Sequence, residues 1–117
     1  MNVGSFITSE KETYGIFSDG YAQSVTDKFI FEYNSLRDVL EKDSLSLMYE
    51  NALGTSKLKH SKIQFLPPLI NPTKIICVGM NYRKPYPIDG QSVRDPNNII
   101  LFGKNREAML AHLDFLE

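Results

Sequence analysis

The first third of the chain alternates polar residues with aromatic and β-branched ones, a pattern that predicts three short strands. These are VGSFITS (residues 3–9), ETYGIFSDG (residues 12–20) and YAQSV (residues 21–25). Residues 9–11 form a polar turn between the first two strands. Gly20 belongs to a second turn, because glycine tolerates a positive φ angle. We therefore predict a small antiparallel meander at the start of the chain.

The spacing of apolar residues then changes to that of amphipathic helices. In residues 34–42 the apolar side chains fall on one helical face, at Leu36, Val39 and Leu40. Asn34 or Ser35 can cap the start of this helix. A second helix fits residues 44–53, and Gly54 stands where a helix-ending glycine is common. We predict that both helices cover one face of the meander.

A proline-rich stretch, residues 55–74, is typical of a connection between domains. Each proline fixes its φ angle and removes a backbone donor, which favours an extended chain around Pro67, Pro68 and Pro72. We place a domain boundary near Leu69, so that residues 1–69 form a small N-terminal domain and residues 70–117 a second part. His60 lies among lysines, which indicates an exposed surface histidine.

The second part is predicted to hold two strands and one helix. Its elements are a strand at residues 74–78, a long loop at 79–98, a strand at 98–102 and a helix at 105–117. A two-stranded unit is marginal in water, so this part is expected to need a partner surface. The candidates for that surface are the first domain, another copy of the chain and a different chain.

Composition and charge exclude several classes of protein. The chain has 117 residues, 42% of them hydrophobic, and a net charge of -1, which are typical of a small globular protein. It has no basic stripe, so a nucleic-acid partner is not predicted. No apolar run approaches the ~20 residues needed to span a bilayer, and the start lacks the pattern of a signal peptide. We therefore expect a cytoplasmic protein with no membrane partner.

One cysteine and two histidines limit the chemistry of thiols and zinc. Cys77 stands alone, so no intrachain disulfide is possible, and its apolar neighbours predict a buried, unreactive thiol. His60 and His112 lie far apart in the sequence, and with one cysteine they do not form a recognised zinc ligand set. His112 lies on the predicted C-terminal helix, either as a surface residue or in an oligomer contact. We predict no metal site in this chain.

The long loop is the first candidate for a functional site. Loops of about twenty residues are uncommon and are often functional or disordered. Arg83 and Lys84 have the charges to hold a carboxylate, and Tyr82 can donate a hydrogen bond. The alternative is a polar loop without a ligand. If the two strands pair, Lys104 comes near Asn81 and Tyr82 and could stabilise an oxyanion; otherwise it is an ordinary exposed lysine.

Two sequence motifs resemble the fumarylacetoacetate hydrolase family. They are NPTKIICVGMNYRK and DPNNIILFGKNREAML, with the family's strand, Gly-x-Asn-Tyr segment, loop and Phe-x-Lys strand end in the same order. The earlier stretch SFITSEKETYGIFSDG is similar to the small N-terminal domain of many bacterial members, and FLPPLINPTK stands where their two parts join. The resemblance implies an α+β fold. A small β-rich N-terminal domain with covering helices would precede the first strands and a helix of the family's β-rich catalytic domain.

The resemblance also implies a chemistry. Members of the family are metal-dependent hydrolases, isomerases and lyases of small oxo-acids, and they use Mg or Mn. Their motif residues match Gly79, Asn81 and Tyr82 in the first motif and Phe102 and Lys104 in the second. In the family this lysine faces the substrate pocket. Together with the loop residues, these matches give four candidate substrate-binding residues: Asn81, Tyr82, Arg83 and Lys104.

Other family residues have no counterpart in this chain. The family's His, which acts with a carboxylate as general base on a water molecule, is replaced by Pro85, and its acidic residue by Ile88. The family's metal ligands, a Glu-x-Glu pair and a later Asp, lie farther along its catalytic domain. Asp114 and Glu117 do not match that spacing. We therefore expect a truncated or degenerate member without catalytic residues, metal ligands or a cofactor of its own, and inactive alone.

Three functions fit these expectations. The first is an inactive relative of the oxo-acid hydrolases, isomerases and decarboxylases. The second is a non-catalytic interaction module or split subunit, which forms a homo-oligomer or completes a fumarylacetoacetate hydrolase-type enzyme with a complementary chain. The third is a small domain that binds a carboxylate ligand through Tyr82, Arg83 and Lys104.

Overall fold

The computed structural model describes residues 2–79 and 99–112 of the chain. The chain forms two compact units, which are described separately. The first unit consists of Met1–Pro72 together with Met109–Glu117, and the second unit of Thr73–Ala108. Helices and strands occur together in the chain, which confirms the predicted α+β class.

The first unit begins with the predicted antiparallel meander. Its strands are β1 (Asn2–Thr8), β2 (Lys11–Ser18) and β3 (Tyr21–Ser24). Ser5 lies opposite Tyr14, and Ile16 lies opposite Val3 on β1 and Gln23 on β3. Because side chains alternate between the faces of a sheet, these residues share one face. The three predicted strands and their antiparallel pairing are confirmed.

Residues 55–74 do more than connect two domains, contrary to the prediction. They add two short strands to the meander, β4 (Leu58–Lys59) beside β3 and β5 (Gln64–Phe65) beside β1. The sheet order is therefore β4-β3-β2-β1-β5. These strands can form because all the prolines of the stretch follow Phe65, so the backbone donors before it are available for pairing.

The proline-rich stretch after β5 is held against the first unit. The Ser5 hydroxyl donates to the Pro68 carbonyl at 2.8 Å, and Arg37 donates from Nη1 to the Asn71 carbonyl at 3.1 Å. Leu69 packs against the hydrophobic core. These contacts make the stretch a part of the first unit and not a free linker.

In the described part of the chain, three α-helices follow β3. They are α1 (Asp27–Glu32), α2 (Leu36–Glu41) and α3 (Leu45–Leu53). The sequence pattern missed α1, because six residues are too few to show a helical period and the run of Phe, Ile and Phe is typical of a strand. The Thr26 hydroxyl caps α1 by accepting a bond from the Phe29 N–H at 3.3 Å. No helix among the described residues is long and apolar enough to cross a membrane.

The two predicted helices begin and end where expected, with differences at their caps. Ser35 caps α2, and the Asp38 carboxylate accepts a bond from the Ser35 N–H in return, which forms a capping box. Ser44 precedes α3 but makes no side-chain capping bond. Gly54 follows α3 with a helical φ of -76°, so the backbone does not require glycine there.

The helices cover one face of the sheet, as predicted, and build the hydrophobic core with it. The core residues come from β2, the helices and their connections, and they are Tyr14, Ile16, Val25, Phe29, Tyr33, Leu36, Val39, Met48 and Ala52. Val39 and Met48 are completely buried. Burial of a side chain of this size contributes roughly 1.5–3 kcal/mol, so this cluster is the main source of the first unit's stability.

Tyr14 carries the polar interaction at the centre of this core. Its hydroxyl donates a hydrogen bond to the Tyr33 carbonyl. Burial, with smaller contributions from Asp38 and from Tyr33, raises the pKa of Tyr14 well above its ordinary value of 10.0. The folded state therefore holds this proton more tightly than the unfolded state does. The resulting stability is fully present below about pH 10 and is lost as the pH rises towards the folded-state pKa.

We expect Tyr14→Phe to lower the free energy of unfolding by roughly 1–2 kcal/mol at pH 7, because the buried Tyr33 carbonyl loses its donor. The variant should also lose less stability than the natural protein when the pH rises above about 10, because it lacks the group that ionises. Urea unfolding at both pH values checks this. Tyr21→Phe is the control, since Tyr21 is 38% exposed. Equal alkaline losses in the natural protein and Tyr14→Phe would contradict the assignment.

The second unit is a two-stranded antiparallel hairpin of β6 (Ile75–Gly79) and β7 (Ile100–Lys104). Both strands were predicted, but the prediction placed β7 two residues too early, at residues 98–102. The predicted helix over residues 105–117 is wrong for its described part, where only a 3₁₀ turn forms at Arg106–Ala108. The reason lies in residues 109–112, which belong to the first unit and have no regular secondary structure apart from a turn at His112.

Candidate functional site

Lys104, one of the four predicted substrate-binding residues, lies at the end of β7. The others lie outside the described residues: Asn81, Tyr82 and Arg83. Gly79, the last residue of β6, leads into that motif. The substrate-binding role of all four residues stays a prediction.

The register of the hairpin fixes the position of Lys104 relative to β6, while its predicted approach to Asn81 and Tyr82 stays a prediction. The two strands pair as expected, but Lys104 lies opposite Ile75, and Gly79 lies opposite Ile100. Gly79 lies four positions after Ile75 along the strand, a distance of about 13 Å at ~3.3 Å per residue. Because the pairing is antiparallel, Lys104 and Gly79 stand at opposite ends of the hairpin. Strand pairing therefore does not bring Lys104 to Gly79.

The hairpin exposes apolar side chains on both of its faces. Ile76, Val78 and Leu101 share one face, and Ile76 is 64% and Leu101 62% exposed. Ile100 and Phe102 lie on the other face and are about half exposed. Contiguous apolar surface of this kind marks an interaction site on a folded protein. The hairpin has the composition of a strand pair from the interior of a sheet.

Cys77 lies on this hairpin, opposite Phe102. Its side chain is half-buried and not buried, contrary to the prediction. The difference follows from the exposure of its neighbours: Ile76 and Val78 point away from Cys77 to the other face, and the Phe102 ring beside Gly79 is itself half exposed. Apolar sequence neighbours thus do not bury a residue in a two-stranded sheet.

Positive charge gathers at the end of the hairpin away from Gly79. Lys74 precedes β6, Lys104 ends β7 and Arg106 follows it. Arg106 pairs with Glu107 at 3.5 Å, but both side chains are well exposed, so this ion pair contributes little. Among the described residues, no group of three or more His, Cys, Asp or Glu side chains could hold a metal ion. The local charge at this end suits a carboxylate.

A second group of residues lies on the face of the five-stranded sheet opposite the helices. The Phe17 ring contacts Phe6 and Phe65, with ring centroids 5.5 and 5.6 Å apart. The His60 ring meets Phe17 and Phe65 edge-on, at 5.8 and 5.3 Å. We call Phe6, Phe17, His60 and Phe65 the aromatic cluster. The available sequence signal was the alternation in β2, which puts Phe17 on the face away from Tyr14.

His60 is not the exposed surface histidine that its lysine neighbours indicated. Its side chain is half-buried, and within the described part of the chain its Nε2 atom is buried without a hydrogen-bond partner. The backbone N–H of His60 donates to the Gly20 carbonyl at 3.0 Å, which fixes the 3₁₀ turn His60–Lys62 beside the sheet. The neighbouring lysines are exposed, as their charge predicts, but their exposure does not extend to the His60 imidazole.

His112 also differs from its predicted place on a helix. It lies in a turn, and its ring meets the Phe65 ring edge-on at 5.3 Å. Phe65 therefore contacts two histidine rings, those of His60 and His112, both nearly perpendicular to its own ring. The sequence could not indicate this contact, because it depends on how the chain returns to the first unit after residue 108.

Two curated proteins are similar to part of this chain. The oxaloacetate tautomerase Fahd2a, mitochondrial, of Rattus norvegicus is 37% identical over 57 residues, which are 49% of this chain and 18% of that protein. The oxaloacetate tautomerase fahd2, mitochondrial, of Xenopus laevis is 37% identical over 79 residues, which cover 57% of this chain and 23% of that protein. The chain thus spans about a fifth of the length of these curated relatives.

No family model matches the chain, and no solved structure matches it. The partial similarity to the two tautomerases supports, over about half of the chain, its resemblance to the fumarylacetoacetate hydrolase family. The assignment of residues 70–117 to a catalytic domain stays a prediction. So does the cytoplasmic location, since both relatives are named as mitochondrial.

Proposed function

We propose that this chain is a component of a fumarylacetoacetate hydrolase-type enzyme that acts on small oxo-acids, and that it has no activity alone. The observation that carries the proposal is the hairpin of β6 and β7, which exposes apolar side chains on both faces. The partial similarity to two oxaloacetate tautomerases supports the class of enzyme.

The energetics of the hairpin favour its incorporation into a larger sheet. Ladder hydrogen bonds alone leave a two-stranded ribbon marginal in water. Complete burial of a large apolar side chain gains roughly 1.5–3 kcal/mol, and five such side chains of the hairpin are at least half exposed: Ile76, Val78, Ile100, Leu101 and Phe102. Burying even part of this surface against a partner therefore gains several times the thermal energy. The partner is a second copy of the chain or a complementary chain of the same enzyme type.

The residues of the motif decide which catalytic steps need a partner. An oxo-acid hydrolase uses a base to activate water, and Pro85 has no titratable group at the position where the family has His. Keto–enol tautomerisation involves no attacking water, but a base still removes a proton from the carbon beside the carbonyl group. We propose that this base comes from the partner.

The contribution of this chain is the handling of the substrate's negative charge. The Lys104 ammonium group can hold a carboxylate or stabilise an enolate oxygen, with Arg106 two residues after it and Lys74 next to its strand partner Ile75. Oxaloacetate, named for both relatives, carries two carboxylates and a keto group. A small oxo-dicarboxylate is therefore the proposed substrate class.

The proposal predicts no turnover by this chain alone. Oxaloacetate tautomerisation, followed by the absorbance of the enol, and acylpyruvate hydrolysis should proceed at the rate of a protein-free control with the same Mg²⁺ or Mn²⁺ concentration. The Lys104→Ala variant should give the same traces as the natural sequence. A rate well above the control would overturn the proposal, and its loss in Lys104→Ala would locate the activity in this chain.

A further inference from the structure

On the face of the five-stranded sheet opposite the helices, Gly4, Phe17 and Phe65 form an apolar surface, which we call the floor. Gly4 gives this floor its shape, because a Cβ atom there would lie 2.8 Å from Cε2 of Phe17. The Phe17 ring therefore lies across the bare backbone at Gly4, and its other side reaches Phe65 at a centroid distance of 5.6 Å. The two rings and the glycine backbone together make an apolar surface.

The last described residues of the chain lie on this floor. A mostly apolar cavity of about 280 Å³ is lined from the sheet side by Phe17, Phe65, Leu66 and Pro68, and from the other side by residues 110–112. Leu110 lines this cavity together with sheet residues and is 44% exposed. An edge-on ring contact such as that of His112 with Phe65 contributes beyond the area it buries.

These residues come from far along the chain. The second unit, Thr73–Ala108, separates them from the rest of the first unit, to which they nevertheless belong. The backbone changes its course where they begin: the 3₁₀ turn ends at Ala108, and the predicted helix does not continue. Contact with the sheet face accounts for this change, since residues 110–112 line a cavity with the sheet instead of following a helical path.

We infer that this sheet face is the docking site of the chain's own residues 109–112, which act as a strap. The strap follows the hairpin unit in the chain and belongs to the first unit, as does the proline-rich stretch that precedes the hairpin unit. Phe65 is the centre of the docking site, because it contacts both His60 in the turn beside the sheet and His112 in the strap. The inference does not depend on the proposed enzyme function.

The first test is a cross-link between the strap and the floor. In a Cys77→Ser background, cysteines at Leu66 and Leu110, which line the same cavity, are joined by a short bis-maleimide in dilute protein. We expect a cross-linked product of monomer size. A product of dimer size in its place would mean that the strap docks on a second copy, and it would overturn docking within one chain. Pro68 replaces Leu66 as the cysteine site if the first variant does not fold.

The second test removes the strap's apolar contact. Leu110→Asp should abolish the monomer-size cross-link between Pro68→Cys and Ala111→Cys. It should also speed trypsin cleavage after Arg106 roughly tenfold. Both effects follow because a carboxylate is unfavourable in an apolar cavity, so the strap spends more time detached from the sheet. Leu53→Asp is the matched control, since Leu53 is also about half exposed but lies at the end of α3. Equal cleavage rates in the two variants, with the cross-link retained, would refute the strap.

Discussion

Replacement of Gly15 by alanine is expected to destabilise the first unit severely. A Cβ atom at Gly15 would lie 2.0 Å from the Gln23 carbonyl oxygen, which is far inside van der Waals contact. The Gln23 backbone cannot easily yield. It pairs with Ile16 in the sheet, and its side-chain amide donates to the carbonyls of the α3 end, the shortest of these bonds reaching Thr55 at 2.8 Å. The clash therefore has to separate β2 from β3.

The expected cost is roughly 3 kcal/mol or more, the upper range of overpacking effects. Since a small domain has only about 5–15 kcal/mol of stability, the unfolding midpoint in urea should fall sharply or the protein should not fold. Gly54→Ala is the control, because Gly54 has a helical φ and its nearest neighbour would be the Asn51 carbonyl at 3.5 Å. That change should stay within about 0.5–1 kcal/mol of the natural protein. Similar midpoints for both variants would contradict the described packing.

The parts of the fold that the sequence predicted are those with a repeated local pattern. The alternation in β1 and β2 and the helical spacing of α2 each extend over several residues, so burial on one face leaves a visible trace. The strands β4 and β5 have two residues each and no period. They exist because β3 and β1 offer free edges, which is a tertiary effect.

The candidate site was less predictable than the fold. The pairing of β6 with β7 follows from two apolar segments, but the position of Lys104 depends on the register and direction of pairing. Those are set by the connection between the strands and by contacts with neighbours. The burial of the His60 imidazole depends in the same way on Phe17 and Phe65, which are distant in sequence.

The hairpin is expected to have a much lower local stability than the five-stranded sheet. Amide protons of β6 and β7 should exchange with solvent at least roughly 100-fold faster than those at the centre of β1 and β2, because opening the hairpin exposes little additional apolar surface. The centre of β2, in contrast, is covered by the buried residues Tyr14 and Ile16 and paired on both edges. Peptide-resolved hydrogen exchange in dilute protein measures both regions at once.

The dependence of that exchange on a partner tests the central claim, that the hairpin works inside a larger assembly. Hydrogen exchange of β6 and β7 should slow when the protein concentration is raised or when a complementary chain of the enzyme is added, while exchange in β1 and β2 stays constant. A variant with Val78→Thr and Leu101→Thr keeps strand-forming residues and should lose this protection. A hairpin that is already protected in dilute monomeric protein, to the same degree at every concentration and in the variant, would contradict the account.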